Sequence, residues 1–266
     1  MPTADGIVWF KACAPVQAFE PRLSAELFAR WPDRVAEVLA HDEEHAWILL
    51  ADGGTRIGDV GNRPESWLAM IPSYAELQRG ETAHAGDHLA HDVPDLRVEA
   101  MPGRYEDLLR HDLPIEGGET GRLRAFAPRF GELCTELAAH GVGPSIQHDD
   151  LHGWNVYERD GHLRVLDWGD SSVSHPFLSL VVTFRFLEEN NRLAPTDPWF
   201  ARLRDAYLEP WGSGHKEAFD LAIHVGAFAH IIAWLRQRNA LPEKDRPEFD
   251  KAFPIVLRRA IARTFE

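Results

Sequence analysis

The segment from Gln147 to Asp170, QHDDLHGWNVYERDGHLRVLDWGD, constrains this chain more than any other. Asp160-Gly161 is a strong signal for a two-residue hairpin turn. It is flanked by Asn155-Val156-Tyr157-Glu158 on one side. On the other, His162 to Trp168 alternates Leu163, Val165 and Asp167 against His162, Arg164 and Leu166. Pairing these strands brings Asn155, at the start of the first, and Asp167, at the end of the second, to one end of a ribbon beside the loop His148 to Trp154. An amide oxygen and two carboxylates, counting Asp150, are therefore expected to converge.

Such a set suits phosphoryl transfer from a nucleotide. That chemistry needs oxygen ligands for the magnesium that bridges the phosphates and a carboxylate to accept the proton of the attacking hydroxyl. The order His148-x-Asp150-x-x-x-x-Asn155, followed by Asp167 in Leu-Asp-Trp-Gly, resembles the H-G-D-L-H-x-x-N and I-D-W motifs of the aminoglycoside phosphotransferase family, which also takes in choline, homoserine and fructosamine kinases. The resemblance implies a protein kinase-like α+β fold of two lobes, a small strand-rich one and a larger, mainly helical one. It further implies Asp150 as catalytic base, His148 as the brace of the catalytic loop, and Asn155 and Asp167 as ligands for Mg2+. ATP or GTP would be the cosubstrate, and an aminoglycoside-like or other small molecule would supply the acceptor hydroxyl.

In outline the resemblance covers most of the chain. Ile7-Val8-Trp9-Phe10-Lys11 reads as an apolar strand delivering one lysine, and the helix-like run that follows holds Glu20. In the kinase-like scheme that lysine binds nucleotide phosphates and a glutamate fixes its rotamer. Glu20 fits this role better than Glu26 because it opens the helix at the family's usual distance before Val35 to Leu39. Ala46 to Leu50 reads as the strand leading to the hinge, so Leu50 and Asp52 are expected to border the purine. The implied organisation is a nucleotide-binding lobe over 1–51, a hinge and linker over 52–62, and a helical lobe over 63–266.

One family part has no counterpart. Kinase-like enzymes cover the phosphates with a glycine-rich hairpin, yet 10 residues precede Lys11. Asp5-Gly6 reads as a turn, with Met1 to Ala4 as the tail of a strand. Either the chain is shortened at its start or the protein works without that cover. Gly53, Gly54, Gly58 and Gly61 follow no G-x-G-x-x-G spacing and read as linker. Two further departures are Asp149, where the family has glycine, and Ser179, where it often has aspartate. Asp170, three residues past Asp167, is a candidate for assisting metal or substrate, with loop capping as the alternative.

Composition narrows the partners. With 28 basic and 42 acidic side chains the formal charge is −14, which argues against nucleic acid. It is compatible with a cationic acceptor, although a solvated acidic surface accounts for it more simply. No run approaches ~18 consecutive apolar residues, and the start lacks a basic region followed by an apolar one; the expectation is a cytoplasmic protein with no membrane association. Cys13 and Cys134 lack metal-site spacing and read as free thiols.

Helical spacing recurs at Trp67 to Leu77, at Leu123 to Leu137 ending at His140-Gly141, and over Val181 to Leu187, Trp199 to Tyr207, Phe219 to Arg238 and Phe249 to Phe265. The Leu123 helix is expected to pack beneath the catalytic loop. Two rival readings are a metal-dependent phosphohydrolase, built on the His-Asp pairs at 41, 91, 111 and 148, and a non-catalytic kinase-like nucleotide-binding module.

Overall fold

The computed structural model describes residues 2–3, 6–113 and 115–265. Strand β1 (Pro2–Thr3) pairs antiparallel with β2 (Gly6–Ala12), which carries Lys11; the turn expected at Asp5-Gly6 begins at a residue outside the described ones. Helix α1 (Glu20–Arg30) then leads to β3 (Val38–Asp42) and β4 (Trp47–Ala51). These strands form one sheet in the order β1-β2-β4-β3. The register sets Trp9 opposite Leu50 and Lys11 opposite Ile48, so β4 holds the lysine strand along most of its length.

The glycine-bearing linker is more than a tether. Its Thr55–Arg56 forms β5, which pairs with the first strand of the central hairpin. Helix α2 (Pro64–Glu81) opens with proline in its first turn, where no amide hydrogen is needed. After it come α3 (Ala85–Ala90), β6 (Asp95–Leu96), α4 (Met101–Arg110) and α5 (Gly117–Ala139). Glu116 and Glu119 close a capping box on α5.

Strand β7 (Ser145–Gln147) enters the catalytic segment, and β8 (Val156–Arg159) and β9 (His162–Val165) form the expected hairpin about Asp160-Gly161. Strand β10 (Ser172–Ser174) pairs antiparallel with β7 and parallel with β6. The chain ends in α6 (Leu180–Asn190), α7 (Pro198–Leu208), α8 (Lys216–Ala240) and α9 (Arg246–Phe265). Asp197 caps α7 through the Trp199 amide at 2.9 Å.

A continuous apolar core joins α1, through Leu23 and Leu27, to α2, α5, α8 and α9. Burial of such side chains, worth roughly 1.5–3 kcal/mol each, is the main force holding these helices together. By length and composition α8 could cross a membrane, but most of that stretch is buried inside the fold.

One expectation is corrected. Helix α5 packs on α4 and α8, with Tyr105 between Phe130 and Phe228, while the helix that supports the catalytic strand is α2. The reason lies in side-chain chemistry. Strand β7 and the loop after it carry backbone groups that must be satisfied in the interior. Helix α5 turns apolar residues inward, whereas α2 turns Tyr74 and Gln78, one helical turn apart, toward the strand. The Gln78 amide donates to the Ile146 carbonyl at 2.8 Å, and the Tyr74 hydroxyl accepts from the His148 amide at 3.2 Å.

Candidate active site

The site assembles where the hairpin's open end meets the lysine strand. Val156 opposes Val165, and the Leu166 amide donates to the Asn155 carbonyl at 2.9 Å, so Asn155 and Asp167 emerge from the same end of the ribbon. The Val165 amide and carbonyl bond to Arg34 and Ala36 at 2.9 and 3.1 Å. These bonds fasten the hairpin to the segment between α1 and β3.

Lys11 lies at the centre of the charge pattern. Its Nζ is 2.6 Å from Glu20 Oε2 and 2.5 Å from Asp167 Oδ1. Burial works against the lysine charge, but the two carboxylates outweigh it and hold the Lys11 pKa above its ordinary value. Glu20 is almost fully buried, while Asp167 is about half exposed and opens into the cleft. Gly169 is what lets Glu20 reach this position. A Cβ there would come within 2.6 Å of Glu20 Oε2 and 2.8 Å of Gln17 Nε2.

Asp150 meets the same cluster through Asn155. The Asn155 Nδ2 donates to the Asp150 carbonyl at 2.9 Å and to its Oδ2 at 3.1 Å, which leaves the amide oxygen of Asn155 as its lone-pair group for a ligand. His152 Nε2 is 3.2 Å from Asp150 Oδ2. Burial alone would raise the Asp150 pKa; the His152 hydrogen bond and the nearby histidines outweigh it and keep the carboxyl below its ordinary value.

His148 is fully buried. Its Nε2 donates to the Leu166 carbonyl at 2.8 Å, and its Nδ1 accepts from the Asp150 amide at 3.3 Å. The ring spans from the residue beside Asp167 to Asp150, and burial lowers its pKa, so it is neutral at pH 7. Asp149 and Asp167 both adopt left-handed backbone conformations, at φ 62° and 65°. Aspartate tolerates that region better than most residues.

Lys11, Glu20, Leu50, Asp52, Asn155 and Asp167 all line one cleft of about 550 Å³, together with Trp9, Arg56, Asp59 and Tyr157. The eight residues singled out from sequence thus fall into one neighbourhood, with Asp150 joined through Asn155 and His148 lying behind the loop. Sequence reasoning overlooked Trp9, Tyr157, Gln17, Tyr74 and Gln78. The last two were detectable as polar side chains at i and i+4 on an otherwise apolar helix face.

Asp149 does not face the cleft. It is buried, accepts from Gln147 and Ser172, and burial pushes its pKa up to about 7. Asp170 accepts from Gln17 at 3.0 Å and from Gln237, and burial and the charge of Asp150 push it up to about 6. Ser179 shares its hydroxyl with Tyr74 and Gln78 at 3.1 and 2.8 Å, inside the support beneath the loop. The His-Asp pairs stay dispersed. Among the described residues no group of three or more His, Cys, Asp or Glu side chains converges as a preformed metal centre.

No protein-family profile and no curated protein sequence matches the chain. Solved structures do. An ethanolamine kinase of Plasmodium vivax aligns with TM-score 0.66 and 12% identity, over 98% of this chain and 78% of that one. A choline/ethanolamine kinase family protein from Mesorhizobium loti aligns at 0.59 and 17%, over 98% and 83%. The choline kinase LicA from Streptococcus pneumoniae, in complex with AMP, aligns at 0.59 and 14%, over 96% and 83%. What this likeness establishes is architecture: the chain has the two-lobed, protein kinase-like α+β fold of these phosphotransferases.

Proposed function

We propose that the protein is a small-molecule kinase that transfers the terminal phosphate of ATP or GTP to a hydroxyl of a small acceptor, aminoglycoside-like or of another class. One observation carries this reading. Lys11, Glu20, Asn155 and Asp167 line one cleft, with Asp150 hydrogen-bonded to Asn155 beside it, and each is of the chemical type that phosphoryl transfer requires. Lys11 binds and orients the phosphates, and Glu20 holds its rotamer. Asp150, ionised at neutral pH, accepts the proton of the acceptor hydroxyl, and the neutral His148 ring keeps the Asp150 loop in register with Asp167. Leu50 and Asp52 border the purine. The same reading divides the chain into a nucleotide-binding lobe over 1–51, a connector over 52–62 and a helical lobe over 63–266. The small-molecule kinases among the similar structures and the AMP complex support a nucleotide cosubstrate.

The donor set suits Mg2+. Asn155 offers an amide oxygen and Asp167 a carboxylate open to the cleft, both hard oxygen ligands, and this ion ordinarily takes one or two protein ligands and completes its shell with water and phosphate oxygens. Bound there, the ion would neutralise charge on the phosphates. The net charge of −14 is compatible with a cationic acceptor.

The test is a panel of aminoglycosides, amino sugars, choline and homoserine, screened with ATP and with GTP for acceptor-dependent release of ADP or GDP. Acceptor-dependent release supports the kinase. Release without any acceptor favours the phosphohydrolase, and tight nucleotide binding with no turnover favours the binding module.

A further inference from the structure

At the end of α1 remote from Lys11 lies a second charged cluster. Glu81, the last residue of α2, is fully buried, and its carboxylate accepts four hydrogen bonds: from Arg30 Nε and Nη2, from Trp31 Nε1 and from His88 Nε2, each at 2.7 Å. Beside it, Gly80 lies in the helix against the Trp31 indole, and a Cβ at position 80 would run into that ring. Glycine within a helix weighs against stability, yet Gly80 is what lets the Trp31 ring close on α2 beside the fully hydrogen-bonded Glu81 carboxylate. The two features together fix the close approach of α1 to α2.

The helix connects this contact to the cleft. Glu20 begins α1 and Arg30 ends it, so the two ion pairs sit at opposite ends of a rod about 16 Å long. Leu23 and Leu27, buried between them, keep the rod against the core. We propose that Arg30, Trp31, Gly80 and Glu81 form an anchor that positions Glu20 against Lys11 from the far end of α1, which makes Arg30, Trp31 and Glu81 positioning residues for the cleft. The inference rests on the kinase reading for its consequence in nucleotide binding, but the positioning itself can be read without nucleotide.

Cys13 supplies that reading. Its thiol donates to Glu20 Oε2 at 3.3 Å, and burial together with the Glu20 charge pushes its pKa up to about 12. Cys134 is buried and remote in α5. If the anchor sets Glu20, loosening it frees Cys13 from the carboxylate, and each unit by which the thiol pKa falls raises the reactive thiolate about tenfold.

The experiment measures iodoacetamide alkylation of Cys13 in a Cys134→Ala background. Glu81→Gln is compared with the milder Trp31→Phe, which removes one donor and trims the indole to a phenyl ring, and with Leu137→Ala, a core truncation in α5 that loosens the fold elsewhere. We expect about tenfold faster alkylation in Glu81→Gln, a smaller rise in Trp31→Phe and none in Leu137→Ala. Unchanged rates in the first two variants, or an equal rise in the control, overturn the anchor. A second arm measures nucleotide affinity. Glu81→Gln should weaken binding in the wild-type background and have no further effect once Glu20→Gln is present, whereas additive losses contradict positioning through Glu20. If the unmodified protein binds neither ATP nor GTP, the kinase reading fails, and the alkylation arm still decides the anchor.

Discussion

Lys11 Nζ and Asp167 Oδ1 lie 2.5 Å apart although 156 positions separate them in the chain. The contact joins the lysine strand of the small lobe to the end of the central hairpin. It places a cation and a candidate metal ligand on the same wall of the cleft, with Glu20 as the second partner of the cation. On the kinase reading, a nucleotide entering with its metal would find each of these charges already placed, which would lower the reorganisation needed at transfer.

The first prediction concerns Asp150. Replacing it with asparagine should lower turnover by ~10² to 10⁴ and leave nucleotide affinity largely intact, the range expected for loss of a general base. Because the ionised carboxyl is the working form and its pKa lies below the ordinary value, kcat/KM of the wild type should show no limb from this group between about pH 5 and pH 8. Near wild-type turnover by the variant with a proven acceptor would remove Asp150 from the mechanism.

Asp167→Ala should abolish magnesium-supported nucleotide binding or turnover, since a methyl group cannot replace a hard oxygen ligand. Asn155→Ala should act in the same direction more mildly. Titrating Mg2+ against nucleotide affinity in both variants checks this; an unaltered magnesium dependence would mean that the two side chains do not hold the ion.

Asp149 yields a prediction about stability. Its folded pKa of about 7 lies above that of the unfolded chain, so the native state keeps a proton that the unfolded state releases. Stability should therefore fall as pH rises from about 4 to about 7. Asp149→Asn, neutral and tolerant of the left-handed backbone, should remove that slope and stabilise the protein at pH 8 by up to about 4 kcal/mol. Urea unfolding at several pH values measures it.

Glu81 has the opposite sign. Burial alone would raise its pKa, but the hydrogen bonds from His88, Arg30 and Trp31 outweigh burial and bring it down to about 2. Its contribution, on the order of 3 kcal/mol, is present above the unfolded value near 4.5 and should be lost as pH falls toward 2. Glu81→Gln should shrink that acid-induced loss, whereas an unchanged acid profile would show that the carboxylate is not held in this way.

The chain determined by itself those parts of the protein set by local chemistry. Asp160-Gly161 dictates a tight turn, alternation on either side dictates its strands, and together they deliver Asn155 and Asp167 to one end of a ribbon. Helical periodicity marked α2 and α5 to α9 for the same reason, since an amphipathic stripe carries its own spacing. The partner of each element was left to tertiary structure. Nothing in the periodicity of α5 distinguishes the helix beneath the catalytic strand from α2, because both bury an apolar stripe. The decision rests on Tyr74 and Gln78, whose polar atoms gain value only when unsatisfied backbone groups of Ile146 and His148 come opposite them. Likewise Glu81, Arg30 and Trp31 read as ordinary residues until α1 and α2 touch. Their energy lies in desolvated contacts between segments about 50 residues apart, and such contacts have no signature in the order of residues along the chain.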